Sequence, residues 1–243
     1  MSPTVIITGA SKGIGLAATQ FLLADGACIV AIQRSITKEL SSLQGAHPKT
    51  LRVVQGDSTD PEIIARGIQE ALKTFGPIDT VIFNAATNSA VGPVAALPLE
   101  GWQKTFDVNL FGIVRFLRAV LPELRDGARI VFISSAASEG GPITLGPYAA
   151  SKAALNSLNR TLAAENPGKI CVAMHPGPVR TEMTGSFAEQ AKDYFSESAM
   201  AQLYEGLLEP EVPGRVIANV ALRAGAELSG KYLHYNDKLL AEL

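Results

Sequence analysis

Runs of continuous Val, Ile, Leu and Phe alternate with amphipathic stretches along the whole chain. The strand-like runs are Val5–Thr8, Cys28–Gln33, Leu51–Gln55, Thr80–Asn84, Arg129–Ser134, Ile170–His175 and Lys231–His234. Apolar character that is continuous rather than alternating suits strands covered on both faces, as in a parallel sheet beneath helices. Strand and helix patterns taking turns predict an α/β fold with a doubly wound sheet. One helical pattern places Trp102, Phe106, Leu110, Ile113, Leu117, Val120 and Leu121 on a single face, and Asn109 falls on that face too. A buried amide needs hydrogen-bond partners, so Asn109 is read as an internal strut or as something more specific. The least regular stretch is Gly185–Pro210, which shows no clear strand and is placed to cover a site. Met183, Phe187, Tyr194, Phe195, Met200 and Tyr204 in and beside it suit either an apolar substrate lid or local packing.

Composition narrows the class. Of 243 residues, 47% are hydrophobic and 18% charged, which excludes a disordered chain. No linker or repeat divides the sequence, so one domain over 1–243 is expected. Lys and Arg number 21 against 23 Asp and Glu, so no basic excess favours a nucleic acid or a membrane surface. Cys28 and Cys171 sit in strand-like runs and are read as core residues in a reducing compartment. No apolar run reaches ~20 residues, and the first strand begins without a charged leader; both point to a cytoplasmic protein. His47, His175 and His234 lack metal-ligand spacing, and no metal is expected.

The first strand runs into Thr8-Gly9-Ala10-Ser11-Lys12-Gly13-Ile14-Gly15, and a helix follows with Ile14, Ala17, Ala18 and Phe21 on one face. Strand, glycine turn and helix N-terminus together make an anion site: glycines admit a pyrophosphate close to the backbone, and free N–H groups point at it. A site for NAD usually ends the second strand with Asp or Glu, to accept from the ribose 2′-hydroxyl. Here Gln33 holds that place and Arg34 follows. No carboxylate repels a 2′-phosphate, while Arg34 and Lys12 can meet one, so NADPH is expected. Asp57 follows the third strand and can accept from an adenine amino group, or cap the next helix; Asp60 before Pro61 is better placed as a cap. The small residues of Asn84-Ala85-Ala86 let a cofactor lie against the fourth strand's end.

Tyr148 and Lys152 open the helical pattern Gly146–Asn166 at i,i+4 spacing, one turn apart on one face. A free phenol near pKa ~10 is a poor proton donor-acceptor at neutrality, and a neighbouring ammonium lowers it. Ser135 ends the fifth strand thirteen residues earlier, where a hydroxyl can hold a substrate carbonyl oxygen. Ser134 is the competing choice.

These residues together resemble the short-chain dehydrogenase/reductase family of the single-domain, Tyr-x-x-x-Lys type. The resemblance runs from Val5 to about Tyr235 and includes the glycine loop, Asn84-Ala85-Ala86, Asn109, Ser135, Tyr148, Lys152 and Pro176-Gly177-Pro178-Val179-Arg180-Thr181. It implies a seven-stranded Rossmann-type sheet in the order 3-2-1-4-5-6-7, within a three-layer fold. It also implies Tyr148 as acid/base, Ser135 as the holder of the substrate oxygen, and Lys152 on the nicotinamide ribose. Asn109 would support a water-linked proton relay at a helix kink. Pro176, Gly177, Val179 and Thr181 would border the nicotinamide. Ala86 departs from the family's usual Gly. The tail Gly230–Asp237 resembles the benzil-reductase and sepiapterin-reductase branch, which implies NADPH-dependent reduction of a ketone or vicinal dicarbonyl.

The expected activity is therefore an NADPH-dependent carbonyl reductase acting on a small molecule. A non-catalytic NADP(H)-sensing protein on the same fold is the alternative. A nucleotide-sugar epimerase would need a larger C-terminal region than follows Thr181. Family resemblance also implies a homo-oligomer, a dimer or a tetramer.

Overall fold

A computed structural model describes residues 2–243. Strands β1 (Thr4–Thr8), β2 (Cys28–Gln33), β3 (Leu51–Gln55), β4 (Ile78–Phe83), β5 (Leu124–Ile133), β6 (Ile170–His175) and β7 (Tyr232–His234) form one sheet in the order β3-β2-β1-β4-β5-β6-β7. Every neighbouring pair is parallel. Helices α1 (Gly13–Ala24), α2 (Lys38–Ala46), α3 (Pro61–Thr74), α4 (Leu99–Phe106), α5 (Gly112–Val120), α6 (Gly146–Glu165), α7 (Glu182–Ala191), α8 (Glu197–Glu205) and α9 (Glu211–Arg223) complete the chain.

The sheet is apolar on both faces because each face meets its own helical layer. Val5, Ile7, Ile29 and Val131 pack beneath α1 and α9 through Leu22, Ile217 and Ala221. Ile6, Val30, Ile130 and Phe132 pack on the other face, against Ile64 of α3, Phe116 of α5 and Leu155 of α6. Alternate residues of one strand therefore serve two cores, which is why the runs read as continuous. Strand order reverses direction at β1, whose neighbours are β2 and β4. The chain departs to opposite sides there and leaves a crevice at the carboxyl ends of the strands.

Two strands begin well before the sequence pattern, while the other strand ends agree to within one residue. Leu124 opens β5 five residues before Arg129, and Ile78 opens β4 two residues before Thr80. The added part of β5 holds the exposed run Arg125-Asp126-Gly127. It carries no apolar signal, although Leu124 pairs with Ile78. The pattern from Trp102 to Leu121 is not one regular helix either. Asp107–Phe111 form a π-helical turn between α4 and α5. The stretch 185–210 holds most of α7 and all of α8, so it is more regular than its sequence suggests. Each helix there is short, and Lys192–Ser196 separates them. Cys171 is buried, but Cys28 at the start of β2 is only partly so, and both thiols are free. Among the described residues, no helix is long and apolar enough to cross a membrane.

Candidate active site

The ends of β1, β2, β4 and β5 open into a cleft of about 510 Å³. Its floor at β1 is the glycine loop. Gly9 has φ +74°, a conformation costly for any side chain, and a Cβ on Gly15 would stand 2.2 Å from the Gly9 carbonyl oxygen. Asn84 fastens this loop to β4: its Nδ2 donates to the Thr8 and Gly9 carbonyls at 3.1 and 2.9 Å. No side chain caps α1, so its first N–H groups face the cleft, where Ser11, Lys12, Gly13 and Ile14 also line it.

At the end of β2, Gln33 is 4% exposed, and neither amide atom finds a partner among the described residues. An orphaned amide lining a cleft is unusual inside a protein and suits a ligand that supplies the missing bond. Arg34 beside it is exposed and lines the cleft. Asp57 reaches the same end, but its Oδ1 accepts from the Thr59 N–H and hydroxyl, both at 2.9 Å. Asp60 is the cap of α3, accepting from the Glu62 N–H at 2.8 Å. An uncapped helix N-terminus, a glycine floor and an open cation fit the phosphates of a dinucleotide.

Tyr148 and Lys152 of α6 stand over the middle of the cleft. Lys152 is 2% exposed, and its Nζ donates to the Ile133 carbonyl at 2.6 Å. That Nζ stands 5.7 Å from the centre of the Tyr148 ring. Burial brings the Lys152 ammonium down to about 8. Burial also raises the Tyr148 phenol, while the Ser135 hydroxyl beside it pulls the other way. Desolvation is the larger of these two effects on Tyr148, and the Lys152 ammonium is bonded to the Ile133 carbonyl.

Ser135 also caps the short turn that follows β5, accepting from the Ala137 N–H at 3.2 Å. Ser134, its rival, is buried, its hydroxyl finds no partner among the described residues, and it lines the cleft at β5. Asn109 lies in the π-helical turn and is fully buried. Its Oδ1 accepts from the Thr87 N–H at 2.8 Å, and its Nδ2 donates to the Thr87 carbonyl at 2.9 Å and to the Ser151 hydroxyl at 3.0 Å. Ser151 in turn donates to the Tyr148 carbonyl at 2.7 Å. The widened turn therefore aims an amide at the first turn of α6. A β-branched residue under strain sits just ahead of that helix: Thr144 has φ +68°.

Of the loop after β6, Pro176 and Thr181 line the cleft, whereas Gly177 and Val179 do not. Gly177, at φ +84°, turns the loop beneath Leu208 and Tyr235, and Val179 bridges to Leu208. Thr181 caps α7 by accepting from the Thr184 N–H at 3.3 Å. Met183 faces the cleft, while Phe187 packs on Phe195 with centroids 6.1 Å apart. Local packing thus accounts for Phe187 and Phe195, and Met183, which borders the cleft, lies just ahead of the stretch 185–210.

Sequence reasoning missed Ser151, Thr87 and Ser138. Ser151 had a signal, since it lies one turn after Tyr148. Ser138 donates to the Ser135 carbonyl at 2.6 Å and accepts from Asn156 at 2.8 Å. Thr87 had no signal, because its link to Asn109 exists only in three dimensions. Glu139 meets His234 at 2.9 Å rather than the cleft. Among the described residues, no group of His, Cys, Asp and Glu is arranged to hold a metal ion.

Residues 3–192 match the sequence model of the short chain dehydrogenases. An uncharacterized oxidoreductase of Saccharomyces cerevisiae is 31% identical, covering 100% of this chain and 99% of its own. Its crystal structure superposes with a TM-score of 0.93 over 99% of both chains. A benzil reductase forming (S)-benzoin, from the same yeast, is 33% identical over 99% of this chain and 98% of its own. A blue fluorescent protein from a metagenomic library, solved in complex with NADPH, is 28% identical with a TM-score of 0.81, covering 96% and 95%.

Proposed function

The chain belongs to the short-chain dehydrogenase/reductase family, and on that premise we propose that it is an NADPH-dependent carbonyl reductase acting on a ketone or vicinal dicarbonyl. The observation that carries this reading is the end of β2. Neutral Gln33 stands where a carboxylate would select NAD, and Arg34 is held by no ion pair among the described residues. An open guanidinium offers two parallel donors to a 2′-phosphate. The NADPH-bound relative supports the cofactor, and the benzil reductase supports the substrate class.

When bound, the cofactor supplies a hydride to the substrate carbonyl carbon. The chain's own residues do the rest. The N–H groups at the start of α1 and the Gly9–Gly15 loop receive the pyrophosphate, with Asn84, Pro176 and Thr181 shaping the groove. Asp57 borders the adenine end. The Ser135 hydroxyl donates to the substrate oxygen and holds it for Tyr148, whose phenol gives that oxygen its proton. A phenol kept protonated by burial is already in the state that reduction requires. Lys152 would hold the nicotinamide ribose, and Asn109 would support a water-linked proton relay behind it.

One domain performs all of this, in a homo-oligomer. The exposed Leu99 and Phe111 along α4 and the π-helical turn support such pairing. The test is NADPH oxidation by the full chain with a panel of ketones and diketones including benzil, repeated with NADH. Turnover with a dicarbonyl and faster reaction with NADPH are expected. Tight NADPH binding with no oxidation across the panel would support the sensing protein instead.

A further inference from the structure

Five basic side chains line the cleft: Lys12, Arg34, Lys104, Lys152 and Arg180. Their partners differ. Arg180 is held by Glu209 at 2.9 Å, and Lys152 by the Ile133 carbonyl. Lys12, in the glycine loop, bonds the carboxylate of Glu182, the first residue of α7. That ion pair joins segments 170 residues apart, and both of its residues line the cleft. A Cβ on Gly13 would stand 3.3 Å from Thr181 Cγ2.

Lys12 also lies beside the segment that carries Arg34. The Thr37 hydroxyl donates to the Ser11 carbonyl at 2.7 Å, tying the glycine loop to the residues just after β2. A phosphate beside Arg34 is thus within the neighbourhood of Lys12. One ammonium cannot give its full charge to a carboxylate and to a phosphate. We propose that Glu182 is a specificity-determining residue: it competes with the cofactor's 2′-phosphate for Lys12, and so weakens the discrimination that Arg34 and Lys12 would otherwise provide.

This rests on the NADPH reading and deepens it. Glu182 is the first residue of α7, where the helix dipole favours negative charge. The pair is largely exposed, with side-chain accessibilities of 55% and 73%, so water and salt moderate its effect. Arrival of the phosphate draws Lys12 away and releases α7 from the glycine loop. The same helix presents Met183 to the cleft, so cofactor identity is coupled to the substrate side.

Calorimetric titration of the full chain with adenosine 2′,5′-bisphosphate and with 5′-AMP tests this without turnover. Glu182→Gln should bind the bisphosphate about two- to fivefold more tightly at low salt, with 5′-AMP unchanged. Lys12→Met should weaken the bisphosphate more than 5′-AMP, whose 5′-phosphate also meets the glycine loop. In the Lys12→Met background, Glu182→Gln should have no further effect. Equal tightening of both ligands by Glu182→Gln, no change, or a gain that persists without Lys12 would each overturn the competition. Arg34→Ala separates the two readings. If it weakens the bisphosphate while Glu182→Gln is silent, only the competition fails. If wild type and Arg34→Ala bind both ligands alike, the NADPH reading fails and takes the competition with it.

Discussion

The two ends of the cleft are built on opposite principles. At the end beside β2, polar groups are left open: among the described residues the Gln33 amide has no partner, Arg34 no counter-charge and α1 no side-chain cap. Below Tyr148 the polar groups are bonded to one another, from Thr87 through Asn109 and Ser151 to the Tyr148 carbonyl. On the proposed function the open end would gain its bonds from the cofactor, so changes there should alter affinity and selectivity. The closed end is organised before anything binds, so changes there reach both chemistry and stability.

The hardest blow to this contrast falls on the closed end. Tyr148→Phe removes one hydroxyl and is expected to lower kcat by about 10³-fold or more, with NADPH affinity near wild type by fluorescence titration. Loss of binding instead would place Tyr148 with the open end. Asn109→Ala breaks three hydrogen bonds of a fully buried amide. A cost of about 1–3 kcal/mol is expected, each kcal/mol lowering Tm by about 2–4 °C, together with a fall in kcat. Unchanged melting would show that the amide is not a strut.

At the open end, Arg34→Leu should cut the kcat/KM preference for NADPH about tenfold and leave melting unchanged. Adding Gln33→Asp should turn the preference toward NADH. A parallel loss for both cofactors would mean that Arg34 does not read the 2′-phosphate.

The smallest effect concerns pH. Lys152 titrates at about 8 when folded, against an ordinary 10.5. Between those values the unfolded chain holds more protons, so the stability of the protein without cofactor gains from this group as pH rises through that window. Below about 8 the full penalty of the buried ammonium is present. Lys152→Met should remove the rise in denaturant midpoint. His175 acts in the acid range: burial takes it from 6.5 to about 4, so it contributes a loss of stability as pH falls between those values, one that His175→Gln should abolish.

Much of the open end was legible in the sequence because it is local. A strand, a glycine turn and a helix start are consecutive, and their chemistry follows from order alone. Tyr148 and Lys152 were legible for the same reason, since i,i+4 on a helix is adjacency. Resemblance to a family supplied the strand order, and the sheet agrees with it. The stretch 185–210 reads as irregular in the sequence because its two short helices carry only a weak apolar face.

By itself, then, the sequence determined the alternation of strands and helices, the glycine turn between β1 and α1 and the neutral-then-basic pair at the end of β2. These rest on local periodicity and on side-chain chemistry that needs no partner. Only the tertiary structure decided what each polar group does with its charge. It turned Asn109 inward on a widened helical turn, and it gave Lys152 to the Ile133 carbonyl. It also set Glu182 on Lys12 from the far end of the chain. Those outcomes depend on which distant groups compete for the same donor, and on how much water burial removes around them.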